Sequence, residues 1–319
     1  MLTGMLFLLG GILFLWQGAD LLVKNSSRLA ASFGIPKIII GLTLVALGTS
    51  TPELVVSVLA ALRGSADLGV GNVVGSNLFN TLVILGLAAL FRVVPVNGRI
   101  LKTDAPVMLF FTLMAVCLGW DGWFRRWEGA GLLVCFAGYM ALLFRQNRSG
   151  KALKKSEIPG DAAERTPARR LQYAGLCAVG LLALYLGGEG TVRGAMRIGQ
   201  ALGISEVVLG LTVVAGGTSL PELFTSLVAM IRQEADISLG NIVGSNIFNL
   251  GFVLSIVAVI RPLAVSAQLL AFDFWVLLAV TGLVVLLFYW RKAVERVPGG
   301  VLLGAYCAYL AWIFLRIPR

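Results

Sequence analysis

Apolar residues run along this chain in blocks of about twenty, separated by short polar clusters. The blocks fall near 2–23, 38–62, 69–91, 105–120, 127–145, 171–192, 206–231, 238–260, 271–290 and 299–315. A helix needs about 20 mainly apolar residues to cross a bilayer, so the pattern predicts ten membrane spans. The second, third, seventh and eighth blocks also contain Gly, Pro, Ser, Thr, Asn and Glu, which a purely structural span would avoid. The longest polar stretch, 146–170, is rich in charge and carries Pro159, Gly160 and Pro167. It reads as a flexible linker. The first block has no basic residues ahead of it and leads into a polar helix end, so it reads as a retained span rather than a signal peptide.

The pattern also repeats. GLTLVALGTSTPELVVSVLAALRGSADLGVGNVVGSNLFN covers 41–80, and GLTVVAGGTSLPELFTSLVAMIRQEADISLGNIVGSNIFN covers 210–249. Without a gap, about 24 of 40 positions are identical. A constant offset pairs Glu53 with Glu222, Asn80 with Asn249, Asp20 with Glu189 and Lys24 with Arg193. Each half then holds five spans, and an odd number of crossings makes the second half enter from the opposite side. The expected architecture is an all-α membrane protein of ten helices in two inverted five-helix repeats, 1–145 and 171–319, joined by the basic linker 146–170. Inverted repeats of this kind mark secondary transporters, with their sites at the repeat interface near mid-membrane.

Composition agrees and removes other classes. Of 319 residues, 58% are hydrophobic and 13% charged, with mean hydropathy +0.90; soluble domains carry roughly 25% charged residues. A soluble enzyme or DNA-binding protein is excluded, and the net charge of +10 belongs to loops rather than to a nucleic-acid surface. With the N-terminus outside, the inner loops hold 18 of the 26 Lys and Arg residues. The positive-inside rule therefore places both termini outside and the linker in the cytoplasm of a cell's inner (plasma) membrane. Histidine is absent, which removes His-based metal sites and general bases. Cys117, Cys135, Cys177 and Cys307 sit singly in apolar runs and read as core or lipid-facing residues.

Glu53 and Glu222 lie at equivalent depth, about fifteen residues into long spans, with no basic residue close in sequence. A charged group at mid-span costs about 2.5–3.5 kcal/mol even on mild scales, so an intramembrane acid marks function by default. The pseudo-axis brings the two face to face, where they are suited to binding cations. Thr49, Ser50 and Glu53 share one helical face, as do Thr218, Ser219 and Glu222. Pro52 and Pro221 deprive the carbonyls of Gly48 and Gly217 of a helical partner. Carbonyls, hydroxyls and a carboxylate form a hard oxygen cage suited to calcium and sodium. In the next spans Asn72, Ser76 and Asn80 form one polar stripe, and Asn241, Ser245 and Asn249 another. Ser76, Asn80, Ser245 and Asn249 are the expected ligands of these stripes, whereas Asn72, Asn77, Asn241 and Asn246 read as hydrogen-bonding residues between helices. Asp67 and Asp236 suit helix N-termini. Asp20 with Lys24, and Glu189 with Arg193, read as i, i+4 pairs at span ends, or alternatively, from their recurrence at the repeat offset, as part of a sliding or gating element.

With GTSTPE at 48–53, GTSLPE at 217–222, GNVVGSNLFN at 71–80 and GNIVGSNIFN at 240–249, the sequence resembles the cation/calcium exchanger superfamily, in its compact prokaryotic sodium/calcium exchanger branch. The resemblance implies ion ligands from Ala46 and Thr49 carbonyls, Thr49 and Ser50 hydroxyls, Glu53, Ser76 and Asn80. In the second repeat it implies Ala215, Thr218, Ser219, Glu222, Ser245 and Asn249. Some relatives carry aspartate where this chain has Asn249, and potassium-dependent members use an acid there, which argues against potassium co-transport. The implied function is sodium-for-calcium antiport by alternating access, with spans 1 and 6 moving across a core of spans 2, 3, 7 and 8. Two ionised glutamates balance one calcium or two sodium ions; a third sodium, as the family binds, makes exchange electrogenic. The implied partners are calcium and sodium ions and the lipid bilayer, with no cofactor, nucleic acid or obligate protein partner. A proton/calcium antiporter is the nearest alternative, a cation channel is more remote, and a membrane hydrolase lacks a base for its nucleophile.

Overall fold

The computed structural model describes residues 1–148, 166–202 and 215–316. The expected linker 146–170 therefore lies largely outside the described residues, as do the start of the second repeat at 210 and the first part of the seventh block. Within the described residues the apolar blocks are helices. Span 1 is Leu2–Phe33, span 3 Leu68–Phe91, span 4 Ile100–Asp121, span 5 Arg126–Gln146, span 6 Pro167–Ala201, span 8 Ala235–Ile260 and span 9 Leu269–Arg291. Span 2 is a bent pair, Lys37–Thr49 and Thr51–Leu62, at 41°. Span 7 is described from Ala215–Gly217 through Leu220–Ile231, and span 10 is Arg296–Arg316.

Spans 1 and 6 outrun their expected ends. Their helices have 32 and 35 residues, about 48 and 52 Å at 1.5 Å per residue, against about 30 Å of hydrocarbon. The expected ends had been set near the polar residues Asp20–Lys24 and Glu189–Arg193. A helix does not stop at charge, however, because its backbone bonds are internal and charged side chains near a span end reach the interface. Span 1 ends at Gly34, which adopts φ 68° and whose N–H returns to the carbonyls of Ala30 and Ala31, a left-handed cap that suits glycine.

These two helices pack along each other. A Cβ on Gly18 would lie 2.8 Å from the Gly180 carbonyl, and one on Gly187 would lie 2.6 Å from the Leu15 nitrogen. Only glycine permits such an approach. The most apolar stretch of each is 33% buried, against 72% and 83% in spans 3 and 8. The chain thus has an interior formed by spans 3 and 8 and a long flanking helix pair.

Two short antiparallel ribbons tie the halves together at the loops. Val94–Pro95 pairs with Ala293–Val294, in register Val94↔Val294, and Trp123–Phe124 pairs with Leu263–Ala264, in register Phe124↔Leu263. π-helical turns recur at the repeat offset, in spans 3 and 8 at Phe79–Ile84 and Asn249–Val253, and in spans 4 and 9 at Ile100–Asp104 and Leu269–Asp273. Such turns often accompany functional sites.

Candidate functional site

The site begins at the breaks in spans 2 and 7. Ser50 has φ −83° and ψ 6°, and Ser219 has φ −90° and ψ 7°, so both leave helical geometry just before a proline at the start of the next helix. The cause is local, because Pro52 and Pro221 lack the N–H that would continue the ladder. The break turns the following carboxylates inward, and Glu53 and Glu222 are 0% and 1% exposed.

Hydrogen bonds then cross between the halves. Ser219 Oγ donates to Glu53 Oε1 at 3.0 Å, and Ser50 Oγ donates to Glu222 Oε1 at 2.9 Å. Thr49 Oγ1 donates to Asn241 Oδ1 at 3.1 Å, and Thr218 Oγ1 donates to Asn72 Oδ1 at 3.4 Å. Asn72 Nδ2 donates to the Glu53 carbonyl and to Ser57 Oγ, as Asn241 Nδ2 does to the Glu222 carbonyl and Ser226 Oγ. Each glutamate is therefore held by the hydroxyl residue of the opposite repeat. Asn72 and Asn241 bond between helices, as their reading from sequence expected.

Other residues are placed less symmetrically. Ser76 Oγ is 3.5 Å from Glu53 Oε1, whereas Ser245 Oγ has no hydrogen-bond partner. Asn80 Nδ2 donates to Asn246 Oδ1, and Asn249 Nδ2 donates to Asn77 Oδ1. The Ala46 carbonyl already accepts from the Ser50 N–H at 3.0 Å and lies 3.4 Å from Thr49 Oγ1. The backbone of Ala215 is helical, and its side chain lies outside the described residues.

Among the described residues, five buried oxygens of the expected ligand set have no hydrogen-bond partner: Glu53 Oε2, Glu222 Oε2, Asn80 Oδ1, Asn249 Oδ1 and Ser245 Oγ. An unsatisfied buried polar group costs about 1–3 kcal/mol, so each of the five calls for a compensating partner. Oxygen-only donors with two carboxylates suit hard cations such as calcium and sodium. Among the described residues no three Asp, Glu, Cys or His side chains gather into a metal-binding group.

The outer acids divide. Glu189 pairs with Arg193 at 2.6 Å, as expected. Asp20 does not pair with Lys24; it forms its ion pair with Arg232 at the end of span 7. Arg232 follows directly on span 7, so its guanidinium reaches Asp20 across the interface with span 1, and this contact displaces the pairing that helical spacing suggests. Asp236 lies in the first turn of span 8 and accepts from Asn97 Nδ2 at 3.1 Å. The side chain of Asp67 lies outside the described residues.

Of the buried acids missed from sequence, two are related by the repeat offset. Asp104, 0% exposed, accepts from Tyr139 Oη at 3.1 Å and pairs with Arg99 Nε at 3.3 Å. Asp273 accepts from Tyr309 Oη at 2.8 Å. They stand at the repeat offset, Asp104 just ahead of its apolar block and Asp273 inside its own, a signal that the sequence carried. Their tyrosines tie span 4 to span 5 and span 9 to span 10.

Comparisons with known proteins agree with this architecture. A family model described as sodium/calcium exchanger protein matches residues 3–145 and 172–315. The inner membrane protein YrbG of Escherichia coli (strain K12) is 35% identical over 331 residues, covering 100% of this chain and 99% of that protein. The sodium/calcium exchanger MaX1 of Methanosarcina acetivorans is 29% identical over 342 residues, covering 97% of this chain and 98% of that one. A solved structure of the sodium-calcium exchanger NCX_Mj, soaked with 2.5 mM Na+ and 0.1 mM Ca2+, superposes with a TM-score of 0.84 at 31% identity, covering 99% of both chains.

Proposed function

The chain belongs to the sodium/calcium exchanger protein family, and we propose on that premise that it exchanges sodium for calcium across the membrane by electrogenic alternating access. It is a multi-pass membrane protein and a transporter rather than an enzyme. The observation that carries the proposal is the reciprocal pair: Ser219 on Glu53 and Ser50 on Glu222, with the second oxygen of each carboxylate unpartnered. Two ionised carboxylates, with no basic side chain bonded to them among the described residues, require mobile countercharge. One calcium ion or two sodium ions supply it equally, which makes the two cargoes competitors for one cage.

In this reading the ligands are Thr49, Ser50, Glu53, Ser76 and Asn80 with the Ala46 carbonyl, and Thr218, Ser219, Glu222, Ser245 and Asn249 with Ala215. The Ala46 carbonyl keeps a lone pair beyond the Ser50 N–H it accepts, and Thr49 Oγ1 is free to rotate when an ion enters. A third sodium ion leaves the loaded carrier one positive charge above the calcium-loaded one, so the membrane potential drives the cycle. The halves 1–145 and 171–319 act as opposed units joined by a cytoplasmic linker 146–170, with both termini outside. Spans 1 and 6 move across the core, and the glycine contacts along their shared seam let them travel as one pair. YrbG is an inner membrane protein, and the same membrane is proposed for this chain.

Purified protein in calcium-loaded vesicles tests the proposal. An inward sodium gradient should release calcium, and a potassium–valinomycin potential that draws positive charge inward should accelerate release. Calcium release driven by a proton gradient alone, with sodium inert, would replace sodium coupling by proton coupling. Unitary conductance without counter-transport would make the protein a channel.

A further inference from the structure

Asn77 and Asn246 correspond at the repeat offset, each three residues before Asn80 or Asn249, and neither hydrogen-bonds to a glutamate. Asn80 Nδ2 donates to Asn246 Oδ1 at 3.2 Å, and Asn249 Nδ2 donates to Asn77 Oδ1 at 3.5 Å. All four side chains are buried. A carboxamide has an oxygen end that attracts a cation and an NH2 end that repels it, and the two have nearly the same shape. With the NH2 end engaged across the repeat interface, the oxygen end is the one left over. Asn80 Oδ1 and Asn249 Oδ1 are both unpartnered.

One of the two supports is itself anchored. Asn246 Nδ2 donates to Thr81 Oγ1 at 2.8 Å and lies 3.6 Å from Met108 Sδ, which turns its oxygen toward Asn80. At the repeat offset Thr81 becomes Leu250, which has no hydroxyl, and Asn77 Nδ2 has no hydrogen-bond partner. The two ends of the cage therefore differ in how firmly their amides are oriented.

We propose that Asn246 and Asn77 are positioning residues that aim the amide oxygens of Asn80 and Asn249 at the transported cation, with Asn80 the more tightly held because Thr81 locks Asn246. The inference rests on the reading of Asn80 and Asn249 as ligands. Its role is in affinity rather than in holding the fold, since the energy at stake is the wrong end of an amide facing an ion.

The test is a double-mutant cycle on sodium-driven calcium flux in vesicles. Asn246→Leu removes the acceptor, and the half-saturating calcium concentration should rise up to about tenfold, the upper scale of one lost hydrogen bond between neutral groups, with the maximal rate changing far less. Thr81→Val, which conserves volume, should raise it about threefold and stands in for Asn246→Leu if that variant does not fold. The deciding background is Asn80→Asp, whose carboxylate offers oxygen at both ends and has no orientation to lose. There, adding Asn246→Leu or Thr81→Val should change the half-saturating concentration less than about twofold. Equal penalties in both backgrounds would make Asn246 a packing residue and overturn the proposal, as would unchanged affinity in the Asn80 background. Unchanged calcium affinity in Asn80→Ala would instead remove the ligand reading beneath it.

Discussion

Ser50 of the first repeat holds Glu222 at 2.9 Å, and Ser219 of the second holds Glu53 at 3.0 Å. The serine-to-glutamate distances of the two halves agree to within a tenth of an ångström. Asp20 and Glu189, related by the same offset, behave differently. Asp20 reaches from span 1 to Arg232 beyond span 7, while Glu189 pairs with Arg193 on its own helix. The counterpart of Arg232 is Arg63, and no ion pair among the described residues involves it. An inverted repeat in a single conformation must break its symmetry somewhere, because a carrier open on one side is closed on the other. Here the two serine–glutamate bonds keep the symmetry, Ser76 and the amides depart from it locally, and the long flanking helices lose it in their ion pairing. This is the division expected if binding belongs to spans 2, 3, 7 and 8 and the change of access to spans 1 and 6.

The sharpest way to break the comparison is at the carboxylates. Glu53→Gln and Glu222→Gln should each abolish sodium-driven calcium flux, by more than about a hundredfold. Either change leaves one negative charge for a divalent ion and puts an NH2 group where a ligand oxygen stood. Flux of radioactive calcium into reconstituted vesicles measures it. Equal loss in the two variants supports equivalent halves, and near-normal flux in one would confine the site to the other repeat. A smaller loss is expected for Ser50→Ala and Ser219→Ala. Each removes one hydroxyl from a carboxylate in the opposite half, worth about 1.5–3 kcal/mol for a bond to a charged group. Calcium affinity should fall about tenfold to a hundredfold, alike in both. A severe loss in one serine variant and none in the other would show that the matched distances conceal unequal roles.

What the sequence disclosed follows from where its chemistry lies. Glu53, Ser50, Thr49 and Pro52 sit within five residues, and their duplicates at 218–222 follow the same spacing, so helical geometry alone groups them. The crossing bonds of Thr49 to Asn241 and Asn80 to Asn246 join residues more than 160 apart; the offset implied an interface between those segments, but not which atoms meet. Asp20 shows the limit of local spacing, because the partner four residues on lost to one on another helix. Asp104 and Asp273 were legible only through the repeat offset, because neither lies at mid-span: Asp104 follows Arg99, Lys102 and Thr103 at the start of span 4, and Asp273 lies among apolar residues near the start of span 9. Helix ends were the least legible feature, since charged residues near the interface do not stop a helix of the length of span 1 or span 6.

The smallest effect probes the broken part of the symmetry. The Asp20 and Arg232 side chains are 35% and 37% exposed, and an ion pair in that setting contributes about 0.2–1 kcal/mol. Because the pair joins span 1 to the end of span 7, it stabilises only the arrangement in which the two are adjacent. Its removal therefore shifts the balance between inward and outward access by up to about fivefold. The Glu189–Arg193 pair, 45% and 61% exposed and contained in one helix, survives any rigid movement of that helix and has no such leverage. The ratio of half-saturating calcium concentrations on the two faces of oriented vesicles reads the balance. Asp20→Asn and Arg232→Gln should move the ratio about two- to fivefold in the same direction. The double variant should move it no further than either alone, and raised salt should shrink the difference from the parent protein. Glu189→Gln should leave the ratio unchanged. If Glu189→Gln shifts the ratio as far as Asp20→Asn, or if the Asp20 and Arg232 effects add, the pair does not latch span 1, and the asymmetry of the two halves has another origin.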